Sequence, residues 1–131
     1  MSNEKILTPQ KMPDFKQIKE QPQSESIKTT TTVDQLGRIV IPKAVRDISG
    51  VKERQKVFVF FHKSAFIIKP SDSGYEDYYK VERGVDSLGR VVLPIELRRM
   101  LEVKEGDTLT IYITGEVGET DFQIVAEKPA A

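Results

Sequence analysis

Short apolar runs, most of them ended by Gly, Pro or Asp, follow one another through most of the chain. The runs are rich in Val, Ile, Thr, Phe and Tyr, and these residues favour extended strands over helices. The pattern therefore predicts a mainly β protein. Its predicted strands occupy residues 28–33, 38–41, 57–61, 65–69, 80–85, 90–93, 108–114 and 121–127.

Two stretches have helical character instead, and they predict helices of about two turns over 43–49 and 95–101. Each follows a proline, Pro42 or Pro94. Proline suits the first position of a helix because its missing N–H has no intrahelical acceptor there. The i, i+3, i+4 spacing predicts the buried stripe of the second helix: Leu97, Met100 and Leu101.

An internal repeat with an offset of 52 residues organises the chain. The segment VDQLGRIVIP at 33–42 returns as VDSLGRVVLP at 85–94. Eleven of the twenty-one residues at 33–53 are identical to their counterparts at 85–105, and the apolar differences are conservative. The chain is therefore a duplicated unit.

Each copy contains an Asp-x-Leu-Gly turn between two predicted strands. Gly37 and Gly89 provide the positive φ that a tight reversal requires. Asp34 and Asp86 have short side chains that can accept hydrogen bonds from the loop backbone. These four residues, together with the two prolines, are the predicted structural residues of the motif.

The duplication also predicts the domain organisation. A unit of roughly 40–45 residues cannot bury enough surface to fold alone unless a disulfide, a metal or a partner stabilises it. The sequence has no cysteine for a disulfide. We therefore expect the two units to interleave into one β-barrel-like pseudo-dimer within a single chain, since tethering raises their effective concentration. The predicted segments are a disordered polar tail at 1–28, the first unit at 29–70, a linker at 71–79 and the second unit at 80–128.

Charge and composition narrow the function. Twenty basic and twenty acidic residues balance, but residues 31–70 have eight basic against three acidic groups, whereas 105–131 have one against six. An anionic partner responds to this local field rather than to the total charge. The absence of Cys and the single His62 exclude a Cys-based zinc site and a thiol nucleophile. We expect a soluble, cytoplasmic protein that is not an enzyme and needs no cofactor, metal or membrane.

The segment VDSLGRVVLPIELRR at 85–99 resembles the AbrB-type DNA-binding domain, the swapped-hairpin family that also includes SpoVT regulators and MazE-type antitoxins. The first copy fits the front half of this pattern well and its helix less well. The resemblance implies a prokaryotic protein, a barrel of two intertwined units, and association with double-stranded DNA in the nucleoid.

In that family, arginines of the loop and helix contact DNA. Thr31 and Asp47 stand where the second copy has Arg83 and Arg99, so the first copy departs from the pattern. Lys43, together with other basic residues of the first unit (Lys52, Arg54 and Lys56), offers compensating charge. By position, the resemblance implies these DNA-binding arginines: Arg83, Arg90, Arg98 and Arg99 in the second copy, and Arg38 and Arg46 in the first.

Three functions stay open at this point. The favoured one is a transcription regulator that selects double-stranded DNA by sequence or shape. The alternative is an antitoxin that binds its own operator and a toxin protein. The third is an interaction module without DNA binding. Further assembly into a homo-oligomer is compatible with all three.

Overall fold

The computed structural model describes residues 28–115 and 122–129. The predicted tail, apart from Lys28, and the first residue of the last predicted strand lie outside this part of the chain. The predicted mainly β fold with two short helices is confirmed. The elements are β1 (Thr29–Thr32), β2 (Arg38–Val40), α1 (Lys43–Ser49), β3 (Lys56–His62), β4 (Ala65–Lys69), β5 (Val81–Gly84), β6 (Arg90–Val92), α2 (Ile95–Met100), β7 (Thr108–Thr114) and β8 (Gln123–Glu127).

The strands form two antiparallel sheets that mix the two copies of the repeat. Six strands lie in the order β1-β7-β8-β4-β3-β5, and β2 pairs with β6 in a separate two-stranded ribbon. Apart from the hairpins β3–β4 and β7–β8, every pairing joins one copy to the other. The registers obey the repeat offset, since Thr29 faces Ile111 just as Val81 faces Val59. The copies therefore exchange strands, as expected.

The edges of the larger sheet are β1 and β5, which do not pair with each other. The barrel-like closure and the division of the chain at 29–70, 71–79 and 80–128 accordingly stay predictions.

The main core lies between the six-stranded sheet, the ribbon and the helices. Ile39 and Val91 enter it from the ribbon, and Val45 and Leu97 enter it from the two helices. All four are almost completely buried. Truncating one such side chain to alanine costs about 2–5 kcal/mol, so the ribbon and helices are firmly held against the sheet.

The opposite face of the large sheet has a second, smaller cluster, because side chains alternate along each strand. The predicted linker covers part of it. The Tyr75 ring packs edge-on against Phe60 at 5.9 Å and against Tyr78 at 5.0 Å. The Lys69 ammonium lies 4.6 Å from the centre of the Tyr75 ring. The linker thus contributes to packing on the side of the sheet away from the ribbon.

The helices differ from the sequence-based expectation in two details. The helices begin at the predicted residues, Lys43 and Ile95, but Pro42 and Pro94 were expected at the first helical position and are instead N-cap residues with extended ψ values of 150° and 137°. Met100 was expected in the buried stripe and is 56% exposed. The prediction was wrong because α2 has only six residues and turns one narrow face, centred on Leu97, to the core.

Candidate nucleic-acid interface

The Asp-x-Leu-Gly turns hold an arginine by the same contacts in both copies. Asp34 Oδ1 accepts hydrogen bonds from the backbone N–H of Leu36 at 2.9 Å and of Arg38 at 2.8 Å. Its Oδ2 accepts from Arg38 Nε at 2.7 Å. Asp86 makes the same three contacts, at the same distances, with Leu88 and Arg90. The two turns are therefore geometrically equivalent.

These contacts also fix the charge of the turn. The hydrogen bond from the Arg38 backbone N–H lowers the pKa of Asp34 most, and the hydrogen bond from the Arg38 side chain lowers it further. The pKa of Asp34 therefore lies below its ordinary value of 3.8, and Arg90 has the same effect on Asp86. Both carboxylates are thus ionised at neutral pH. Each orients its guanidinium through Nε alone and leaves the terminal nitrogens available for another acceptor.

The two turn arginines lie on one face of the ribbon. Ile39 and Val91 point into the core, so their neighbours along each strand point away from it. Arg38 pairs with Val92, two residues beyond Arg90. The arginines are therefore diagonal neighbours with Cα atoms about 7–8 Å apart, close to the pseudo-two-fold axis of the ribbon.

Each helix arginine packs against the turn of the other copy. Arg46 Nε donates to the Ile41 carbonyl at 2.8 Å, and its guanidinium lies against Gly89. Arg98 Nε donates to the Leu93 carbonyl at 2.9 Å, and its guanidinium lies against Gly37.

Backbone contacts strengthen the same exchange. The Ile41 N–H donates to the Gly89 carbonyl at 2.8 Å, and the Leu93 N–H donates to the Gly37 carbonyl at 2.9 Å.

We call the turn at 34–38 with α2 the first end of the ribbon, and the turn at 86–90 with α1 the second end. The arginines were expected to group by copy, whereas each end combines the turn of one copy with the helix of the other.

The two ends differ in the charges of their helices. At the second end, Lys43 pairs with Asp47 at 3.1 Å, and Arg46 Nη1 lies 3.7 Å from Glu53. At the first end, Arg99 is exposed, and no carboxylate within residues 28–115 and 122–129 pairs with it. Lys43, which was expected to offer compensating charge, thus has an acidic partner on its own helix.

Arg83 and its counterpart Thr31 have unlike environments. Arg83 lies on the edge strand β5, opposite Val57, and its Nη1 donates to the Glu82 carbonyl at 3.1 Å. Thr31 is only 8% exposed. Its hydroxyl donates to the Val40 carbonyl at 3.0 Å and accepts from the Val40 N–H at 3.1 Å. Thr31 therefore links the large sheet to the ribbon and offers no contact to a partner.

Two leucines at the tips of the turns are exposed, and the sequence-based prediction did not include them among the site residues. Leu36 is 59% and Leu88 is 62% exposed. The signal was available, because an apolar residue recurs between the Asp and the Gly of both turns. Each end of the ribbon therefore presents an apolar tip next to a guanidinium.

The described residues contain no group of three or more His, Cys, Asp or Glu side chains that could hold a metal ion. No helix in that same part of the chain has the length and apolar character needed to cross a membrane.

The family model described as "Antidote-toxin recognition MazE, bacterial antitoxin" matches residues 30–76 and 84–118, which is more than half of the chain. The chain belongs to this MazE antitoxin family. The match covers both copies of the repeat, including both turns and both helices, and it confirms the resemblance inferred from the motif.

Three proteins of Bacillus subtilis (strain 168) are similar to parts of the chain. The transition state regulatory protein AbrB is 58% identical over 36 residues, 28% of this chain and 38% of that protein. Stage V sporulation protein T is 51% identical over 48 residues, 37% of this chain and 24% of that protein. The putative transition state regulator Abh is 47% identical over 36 residues, 28% of this chain and 39% of that protein. The matches span about a quarter to two fifths of the relatives' own length.

Among solved structures, the solution structure of PHS018 from Pyrococcus horikoshii is 20% identical to this chain. The alignment covers 79% of this chain and 95% of that one, with a TM-score of 0.38.

Proposed function

We propose that the protein is a transcription regulator that binds double-stranded DNA through the ribbon and its two ends. The observation that carries this proposal is the reciprocal arrangement of Arg38, Arg90, Arg46 and Arg98. Turns and helices from opposite copies hold these four guanidinium groups around one two-stranded ribbon.

The chemistry of the site suits a polyanion. Each guanidinium is anchored through Nε to a carboxylate or carbonyl of the protein. Its terminal nitrogens then match phosphate oxygens or the acceptor edge of guanine. Because the side chains are already ordered, binding loses less conformational entropy.

The dimensions suit a short duplex site. The three residues of β2 separate Gly37 from Ile41, which lies at the opposite turn. The four residue steps between them, at about 3.4 Å each, place the ends about 14 Å apart. That distance is well under one turn of B-DNA, about 34 Å. The helices have only seven and six residues. Phosphate contacts should therefore contribute at least as much to affinity as base reading does, and DNA shape at least as much to selectivity.

The names of two relatives, a transition state regulatory protein and a putative transition state regulator, support a regulatory role. A regulator of this kind acts on the nucleoid in the cytoplasm and requires no enzymatic chemistry. The proposed contact residues are the four arginines above with Arg99, Arg83 and Lys43.

Selection of bound duplexes from a random pool, followed by affinity measurements at two salt concentrations, tests the proposal. If about six phosphates are neutralised, affinity should fall about a thousandfold between about 50 and 200 mM salt. The variant Arg38→Ala with Arg90→Ala should bind at least about a hundredfold more weakly, because each change removes a charge-assisted contact of about 1.5–3 kcal/mol.

Lys63→Gln serves as the matched control, since Lys63 lies in the hairpin turn at the far end of β3 from the ribbon. Its affinity should equal that of the wild type. Thermal melts confirm that the arginine variant is folded. A folded double variant with unchanged affinity and unchanged salt dependence would contradict the proposal.

A specific observation favours a second candidate, an antitoxin that also binds a toxin protein, because the matching family model is described as an antidote that recognises a toxin. Purification of the tagged chain from its own host distinguishes the two. A small protein recovered in fixed stoichiometry, which the chain neutralises when both are expressed, supports the antitoxin. Recovery of DNA alone supports the regulator.

A further inference from the structure

We propose, on the basis of the DNA binding proposed above, that the protein recognises a non-palindromic duplex and binds it in one orientation. The first end contacts one half of the site and the second end contacts the other. The inference rests on two ends that share one scaffold and differ in the charges placed around it.

The shared scaffold comes from the turns. Arg38 and Arg90 are held by identical contacts and are related by the pseudo-two-fold axis of the ribbon. At this central level, the protein presents the same chemistry to both halves of a duplex. Any preference for orientation must therefore come from the residues that flank the turns.

The first difference lies on the helices. Position 47 of α1 and position 99 of α2 are equivalent under the repeat, yet they have Asp and Arg. Asp47 is paired with Lys43 at 3.1 Å. The counterpart of Lys43 is Ile95, which is exposed. Both helices have an arginine at the equivalent positions 46 and 98. The additional cation is Lys43, at the start of α1, at the second end, and Arg99, in the last turn of α2, at the first end.

The second difference lies in the loops that follow the helices. Arg54 N–H and the Gln55 carbonyl bond to Val85, directly before the turn of the second end. The equivalent residues, Gly106 and Asp107, bond in the same way to Val33, directly before the turn of the first end. The same loop therefore has an exposed cation, Arg54, at the second end. At the first end it has the Asp107 carboxylate, which accepts from the Lys104 N–H at 2.9 Å and lies 3.9 Å from Lys128 Nζ.

The two helices differ in where their cations lie and not in their net charge, whereas the loops differ in the charge itself. Each helix has a net charge of +1, from Lys43, Arg46 and Asp47 in α1 and from Glu96, Arg98 and Arg99 in α2. A palindromic duplex presents identical phosphates and base edges to both ends. Only a site whose halves differ in base edges or in shape lets each end meet its own best set of contacts.

Strand exchange makes this asymmetry permanent. Because β1 pairs with β7 and β3 pairs with β5 within one chain, each folded molecule contains one first end and one second end. A molecule on DNA therefore has a direction along the duplex.

Site-directed DNA cleavage measures this direction. The chain has no cysteine, so Gln35→Cys and Ser87→Cys each introduce a single thiol at equivalent, exposed positions of the two turns. An iron chelate attached to that thiol cleaves nearby DNA. On a duplex selected from a random pool, the two conjugates should cut at separate positions, each favoured at least about tenfold over the position cut by the other. If the protein bound in both orientations, each conjugate would cut at both positions with equal intensity. Such mirrored cleavage would overturn the inference.

Ser64→Cys is the control, because Ser64 is exposed between β3 and β4, away from the ribbon. Its conjugate should bind the duplex and give no localised cleavage. Wild-type protein that shows no salt-dependent binding to any duplex would overturn the proposed function itself. Retained binding with mirrored cleavage would overturn only the orientation.

Asp47→Arg provides a second measurement, because it makes the helix of the second end resemble that of the first. The preference for one orientation should fall at least about threefold, and affinity for a palindrome built from the half-site of the first end should rise. An unchanged cleavage ratio would overturn the assignment of orientation to this pair of positions.

Discussion

The guanidinium of Arg98 lies so close to Gly37 that a Cβ atom placed on that glycine would be 2.5 Å from Arg98 Cζ. Arg46 stands against Gly89 in the same manner, with its Nε 2.8 Å from the corresponding position. Because turn and arginine belong to different copies, neither copy forms a complete end of the ribbon alone. The glycine therefore has two roles, a positive φ and room for the arginine of the other copy.

Gly37→Ala tests this double role. The residue has a φ of 79°, so alanine should cost about 1–3 kcal/mol in the free energy of unfolding, and it should also displace Arg98. Gly74→Ala is the matched control, since Gly74 has a φ of 85° and no atom within 4 Å of the added Cβ. Both variants should melt at lower temperature, but only Gly37→Ala should lose DNA affinity, by about tenfold or more. Equal affinities would contradict the positioning of Arg98 by this contact.

Arg99→Ala separates binding from stability. Because Arg99 is exposed and has no ion-pair partner among residues 28–115 and 122–129, its removal should change the melting temperature little. If it contacts a phosphate, the slope of log affinity against log salt should fall by about one and affinity should weaken on all duplexes alike. Asp47→Ala, at the equivalent position, should leave the slope unchanged or raise it. A slope that stays constant in Arg99→Ala would exclude a phosphate contact at this residue.

The turn carboxylates predict a defined acid sensitivity. Hydrogen bonds from Arg38 and Arg90 hold the pKa values of Asp34 and Asp86 below 3.8. A carboxyl with a lowered native pKa contributes stability that is complete above its unfolded pKa and is lost as pH falls through the native value. The double variant Asp34→Asn with Asp86→Asn should therefore melt below the wild type by a constant amount from about pH 8 to 5, and the gap should narrow below about pH 4. A gap independent of pH throughout would contradict these ionised turns.

Thr31→Val measures the link between the sheet and the ribbon. Valine has nearly the same shape but leaves the Val40 N–H and carbonyl without their partner, so the variant should lose about 1–3 kcal/mol. Thr30→Val on the same strand is the control, because Thr30 is exposed. It should be neutral or slightly stabilising in urea unfolding. Equal stability of the two variants would show that the Thr31 hydroxyl contributes nothing to the link.

The sequence predicted the elements and the exchange of strands because both follow from local and repeated signals. The offset of 52 residues marked the duplication, and the small size of each unit required a shared core. The turns were predicted because Asp34 and Gly37 act within five residues of each other, a range at which side-chain chemistry determines backbone geometry.

The grouping of the arginines could not be read in the same way. Whether Arg98 meets Gly37 or Gly89 depends on which β-strand lies beside β2, a contact over more than fifty residues that leaves no local trace. The prediction that Met100 is buried was wrong for a related reason, because the length of α2 is limited by packing and not by its apolar spacing. The hydrogen bonds of Thr31 to Val40 likewise depend on the placement of β1 over the ribbon.

The order of strands in the large sheet has a consequence for synthesis on the ribosome. When the hairpin of β3 and β4 has emerged, its partners β5 and β8 have not yet been translated. The apolar run from Val57 to Phe61 then presents an open edge, the kind of surface that favours aggregation. We expect the nascent first half to depend on chaperones until the second half arrives, and released fragments that stop before Lys80 to be degraded rather than to accumulate.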